Sequence, residues 1–214
     1  MIVLSLCDRT GVMVDPWAQA GYECVCVDVQ HEGRERRGNV TFLQADLMRR
    51  WLPPRDEYRI AFSFPACTNL AVSGARWFRD KGIRGLLDGL ELVEACRDIC
   101  EWTDAPWMLE NLVSTISSYW REPDYTFHPS DFTAFELGDN YTKKTCLWTG
   151  NGFVMPSPNR AQDLPPPDDR IHKAAPGERR GDIRSITPRG FARAVFEANE
   201  TASLVPLAAE EIAK

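Results

Sequence analysis

The 214-residue sequence contains no apolar run approaching the roughly 20 residues that a helix needs to cross a bilayer. Its short N-terminal apolar segment (residues 2–6, IVLSL) follows no positively charged region, so it reads as a first strand rather than a signal peptide. Positive charge is in deficit: 25 Lys and Arg against 31 Asp and Glu leave a net charge of −6. That balance disfavours a protein that coats nucleic acid but leaves room for a local basic patch. Histidine is scarce, with His31, His128 and His172 in no metal-type spacing, and the seven cysteines form no CxxC pair. No metal site is therefore assigned. An odd, scattered set of cysteines without a secretory signal implies reduced thiols, a cytoplasmic location and no membrane partner. The glycine triplet of a dinucleotide site is also missing, which disfavours NAD.

What is present is the rhythm of an α/β protein. An apolar share of 43% and a charged share of 26% are ordinary for a globular chain. Strands are expected at residues 2–6, 23–29, 40–43, 59–64, 106–109 and 144–149. Helices are expected at about 12–20, at 83–102 and after Pro188, where Thr187 is a suitable N-cap. The 83–102 helix rests on Ile83, Leu86, Leu87, Leu90, Val93, Cys96, Ile99 and Cys100 recurring at intervals of three and four. Alternating strands and helices argue for a parallel, doubly wound sheet in a single domain over 1–214. Residues 156–182 interrupt the pattern as a Pro-rich, charged insert, read as a surface loop or partly disordered.

In doubly wound sheets ligands bind beyond the carboxyl ends of the strands. Asp8, Asp28, Asp46, Cys67 and Glu110 all fall at such places in this reading. Thr10 and Gly11 lie in the turn after the first strand, where backbone N–H groups can meet a ligand, or simply make a turn. Asp28, about twenty residues on, suits ribose hydroxyls or a plain strand-end turn. Asp46 either contacts a ligand amino group or caps the short helix that follows. Cys67 follows a buried strand and Pro65, where the chain must leave the sheet, so its thiol is a candidate nucleophile. Glu110, preceded by apolar residues, needs a partner: a ligand, an arginine, or its own retained proton. Cations for a phosphate or base oxygen are Arg76, Lys81, Lys143, Lys144, Arg184 and Arg189.

Together these segments resemble the cytosine-C5 DNA methyltransferase family, as a small, phage-like variant. LSLCDRTG and AGYECVCVD look like its cofactor-binding opening, QADL like a third cofactor element and FPACTNLAVSG like its Pro-Cys loop. MLENL looks like its Glu-Asn element, and ITPRGFARAVFEAN like its closing helix. The resemblance implies a Rossmann-like methyltransferase fold that binds S-adenosylmethionine through Asp8, Thr10, Gly11, Asp28, Asp46 and Pro65. Cys67 would attack C6 of cytosine, Glu110 would protonate N3, and Asn111 would brace the loop. Ser73, Arg76, Lys143, Lys144 and Arg189 would face the substrate, with Lys144 or Arg189 at cytosine O2.

The departures concern the substrate. Ala66 separates Pro65 from Cys67, Leu112 follows Glu110-Asn111, and no Gln-x-Arg-x-Arg element is found. Between the core and the last helix lies only the Pro-rich insert, too short and irregular to read a DNA groove. The expected substrate is cytosine in DNA, with a free cytosine nucleotide as the alternative. A further alternative is a catalytically silent protein that keeps the cofactor fold.

Overall fold

A strand that is apolar on both faces belongs in the middle of a covered sheet. The runs IVLSL and YRIAFS meet that condition as β1 (Ile2–Leu6) and β5 (Tyr58–Ser63). The computed structural model describes residues 1–173 and 185–202, so Arg184 lies outside the described residues. Six further strands complete the sheet: β2 (Glu23–Asp28), β3 (Arg34–Arg37), β4 (Val40–Gln44), β6 (Trp107–Leu112), β7 (Tyr125–Phe127) and β8 (Thr145–Gly150). Their order is β3-β4-β2-β1-β5-β6-β8-β7. The chain moves outward from β1 through β2 to β4, then returns to place β5 on the other side of β1. That reversal makes a doubly wound, Rossmann-like sheet whose switch point is β1.

Only the centre of the sheet is parallel. β4, β2, β1, β5 and β6 run together, whereas β3 pairs antiparallel with β4, β8 with β6 and β7 with β8. The two unexpected strands carry little hydropathy signal: β3 is the exposed RERR run, and β7 is only YTF. A Gly38-Asn39 turn, with Gly38 at φ 59°, closes the β3–β4 hairpin. β6 also runs farther than expected, so Glu110 and Asn111 sit within it rather than past its end.

Period-two alternation divides the core. Val3, Ile60, Phe62 and Met108 pack with Trp17, Phe191, Ala194 and Val195, bringing α1 (Asp15–Gln19) and the last helix, α5 (Arg189–Ala202), onto one face. Leu4, Ala61, Leu109 and Trp148 pack with Val93, Cys96, Ile99 and Cys100 of α2 (Phe78–Trp102) on the other. α2 begins earlier than its periodicity indicates and kinks at Gly82, which adopts φ 63° and ψ −171°. Ile83 and Leu87, assigned to its apolar face, are 78% and 51% exposed instead, while Leu86 and Leu90 pack against the core. Two short helices, α3 (Ile116–Tyr119) and α4 (Arg170–Lys173), lie in connections.

The described part of the insert, residues 156–173, is held by hydrogen bonds to the preceding chain. Asn159 donates to the Asp131 carbonyl at 2.8 Å, Thr142 to the Asp168 carbonyl at 2.8 Å, and Asn140 Nδ2 to the Pro165 carbonyl at 2.9 Å. At the start of α5 the backbone N–H of Gly190 is taken by Asp139 Oδ2 at 2.7 Å, so a carboxylate from elsewhere in the chain serves that end. Near its far end Asn199 Nδ2 donates to the carbonyls of Val154 and Val195, while its Oδ1 accepts from Val154 N. Replacing this buried residue, Asn199→Ala, strands those backbone groups and is expected to cost about 1–3 kcal/mol, read as a lower urea midpoint at unchanged slope.

Candidate active site

The loop after β1 is built around Asp8. Its Oδ1 accepts from the backbone N–H groups of Thr10 (3.0 Å) and Gly11 (2.7 Å) and from the Thr10 hydroxyl (3.2 Å), and its Oδ2 accepts from Ser5 Oγ at 2.8 Å. Asp8 is therefore spent on shaping the loop, and the Thr10 and Gly11 N–H groups are in turn spent on Asp8. Gly11 has φ 72°, and a Cβ there would stand 3.1 Å from the Phe42 ring, so the turn requires glycine twice over. His31 Nε2 lies 3.1 Å from the Asp8 carbonyl, a support the sequence did not reveal. Asp28, buried at the end of β2, accepts from Gln30 N at 2.7 Å through one oxygen. Its other oxygen has no hydrogen bond among the described residues. Asp46 does what a cap does: it accepts from Met48 N at 3.1 Å and pairs with Arg49 at 3.1 Å.

Cys67 begins a single 3₁₀ turn, Cys67–Asn69, beyond the end of β5, and is half-buried. Asn111 Nδ2, in the neighbouring parallel strand, donates to the Pro65 carbonyl at 2.9 Å and fixes the loop's departure. The loop is then laid along the chain after β6 by Val72 N to the Val113 carbonyl (3.0 Å) and Thr115 N to the Leu70 carbonyl (3.0 Å). Lys81 donates to the Thr68 carbonyl from α2. Buried polar atoms without a partner among the described residues gather on these segments: Ser63 Oγ, Asn111 Oδ1, Ser114 Oγ and Thr115 Oγ1.

Glu110 stands opposite Leu147 in the β6–β8 register, and its side chain is only 16% exposed. Its partner is Lys143, not an arginine: Nζ lies 3.8 Å from Oε1, and the lysine side chain is 6% exposed. Beside this pair is a cavity of about 220 Å³ lined by Val72, Ser73, Leu112, Val113, Lys143, Lys144 and Ile171. Three of the expected substrate-facing residues, Ser73, Lys143 and Lys144, thus converge. Arg76 and Arg189 do not. The Arg76 guanidinium lies 5.1 Å from the Trp77 ring on the surface, and Arg189 pairs with Asp15 at 3.4 Å, beside α1. Ile171 escaped notice in the sequence, although it is the lone apolar residue in the charged stretch DDRIHK.

Cys67 and Cys7 are half-buried, whereas the other five cysteines are buried. Burial pushes the Cys24 thiol up to about 12 and raises Cys26, Cys100 and Cys146 as well. Cys7 is raised by its hydrogen bond with Cys96, whose Sγ is 3.8 Å away, and by burial; Cys96 itself is fully buried. Among the described residues no group of His, Cys, Asp or Glu is arranged to hold a metal, and no helix is long and apolar enough to cross a membrane.

No family model and no curated protein matches the chain. Among solved structures, the glycopeptide N-methyltransferase MtfA aligns with it at 16% identity over 69% of this chain and 64% of that one, with a TM-score of 0.29. A superposition this loose says nothing about activity.

Brief alkylation of the native protein with iodoacetamide near neutral pH should modify Cys67 first, located by peptide mass spectrometry. Equal labelling of Cys24 and Cys26, or a protected Cys67, would contradict its half-buried place beyond the end of β5.

Proposed function

We propose that this chain is an S-adenosylmethionine-dependent methyltransferase acting on C5 of cytosine through Cys67. The observation that carries the reading is the pairing of a half-buried cysteine loop with a half-buried glutamate at adjacent parallel strands, joined by the Asn111–Pro65 hydrogen bond. The loop after β1 and the Asp28 oxygen left over from its turn fit the cofactor, the latter as an acceptor for ribose hydroxyls. When bound, S-adenosylmethionine supplies an electrophilic methyl group to C5.

The remaining chemistry belongs to the chain. The Cys67 thiolate adds to C6, forming an S–C bond and moving the C5=C6 electron pair toward C5. Conjugation delivers negative charge to N3, where a proton from Glu110 neutralises it. Lys143 offsets the cost of keeping the carboxylate half-buried between turnovers. After C5 has been methylated, loss of its proton to solvent expels the Cys67 thiolate and restores the double bond. Asn111 keeps the sulfur at a fixed height above the ring by holding Pro65.

Methyl transfer from labelled S-adenosylmethionine should be offered in parallel to duplex DNA, single-stranded DNA, dCMP and dCTP. Label is expected at cytosine C5; label on the exocyclic amine would overturn the reading. Cys67→Ser should lower turnover on the order of 10³-fold or more while leaving cofactor affinity intact. Asn111→Ala, which releases the loop without touching the sulfur, should lower kcat on the order of 10²-fold with little change in KM.

A further inference from the structure

We propose that the cavity between Ser73, Lys143 and Lys144 is a phosphate subsite, so that the substrate is taken as a cytidine nucleotide rather than as base or nucleoside. This deepens the cytosine reading above and rests on it for the identity of the base.

Four separate segments build the cavity: the chain after Cys67 gives Val72 and Ser73, the end of β6 and its exit give Leu112 and Val113, the approach to β8 gives Lys143 and Lys144, and α4 gives Ile171. The lining is mainly apolar; Ser73, Lys143 and Lys144 are its polar residues, and no Asp or Glu is among the lining residues, in a chain whose net charge is −6. Such a lining fits an anion. Its volume of about 220 Å³ lies below the roughly 300–1,000 Å³ typical of whole-ligand pockets, which suits one group of a larger molecule.

Lys143 carries the argument further. A buried ammonium is costly unless its donors are used. Glu110 is 3.8 Å away, beyond hydrogen-bonding distance, and no hydrogen bond to Lys143 Nζ occurs among the described residues. A phosphate oxygen in the cavity would use those donors. Because Lys143 touches both Glu110 and the cavity, a base held at Glu110 and a phosphate held at Lys143 can belong to one nucleotide. The insert contributes a wall here. Thr142 N bonds the Asp168 carbonyl at 2.8 Å, and the Arg170 guanidinium lies 5.3 Å from the Tyr141 ring, which seats Ile171.

The same phosphate chemistry is offered by a free nucleotide and by a strand, and the test separates them. Equilibrium binding of deoxycytidine, dCMP and two single-stranded oligonucleotides with one cytosine is measured, one oligonucleotide carrying a neutral methylphosphonate 5′ to that cytosine. At least tenfold tighter binding of dCMP than of deoxycytidine is expected if the phosphate comes from a free nucleotide. A tenfold loss on the methylphosphonate is expected if it comes from a strand. Either preference should disappear in Lys144→Gln, at an exposed position, and return in Lys144→Arg. Indifference to the phosphate in both pairs, or a preference that survives Lys144→Gln, overturns the subsite. Binding requires no methyl transfer, so a phosphate preference without C5 methylation sinks the catalytic reading alone. C5 methylation without a phosphate preference sinks the subsite alone.

Discussion

The hydrogen bond from Asn111 Nδ2 to the Pro65 carbonyl joins two neighbouring parallel strands at the point where one of them lets its chain go. Asn111 is 1% exposed, so its amide meets no competition from bulk water. An amide buried in this way must be satisfied locally, and the Pro65 carbonyl is what satisfies its Nδ2. Pro65 cannot donate a backbone hydrogen bond and has a fixed φ, so the loop leaves β5 in one direction only. The turn at Cys67, the contacts of Leu70 and Val72 with the exit of β6, and one wall of the cavity all depend on that departure.

Charge is handled by a similar economy. Asp8 organises the first loop, Asp46 caps a turn and Asp139 serves the last helix, so the hydrogen bonds of these three acids go to the fold. Asp28 and Glu110 keep capacity to spare. One has an oxygen without a hydrogen bond among the described residues, and the other has only a lysine at 3.8 Å. Geometry, rather than residue type or position past a strand, separates the structural carboxylates from the available ones.

This distinction explains what could be read in the sequence. The central strands were legible because IVLSL, CVCVD and RIAFSF are apolar runs bounded by polar turns, and a parallel core demands that composition. β3 was hidden because an edge strand can be charged throughout, and β7 because three residues show no period. Ser73, Lys143 and Lys144 were singled out in the sequence and do converge, whereas Arg76 and Arg189 are drawn to Trp77 and Asp15. Long cationic side chains take whichever partner the fold puts within reach, and sequence position alone does not reveal it. The described part of the insert, residues 156–173, is anchored in a way that its composition hides. Its backbone hydrogen bonds run to residues 131–142, and nothing in a Pro-rich composition announces them.

The central claim is covalent addition of Cys67 to C6 of cytosine, and 5-fluorocytosine tests it most directly because fluorine at C5 cannot leave as the proton does. The protein is incubated with S-adenosylmethionine and either 5-fluoro-dCMP or an oligonucleotide containing 5-fluorocytosine, then analysed by intact and peptide mass spectrometry. A stable adduct carrying the methylated ring, located on the peptide that contains Cys67, is the predicted result. Methyl transfer to ordinary cytosine with no adduct on the fluorinated analogue, or an adduct on any other cysteine, would contradict it.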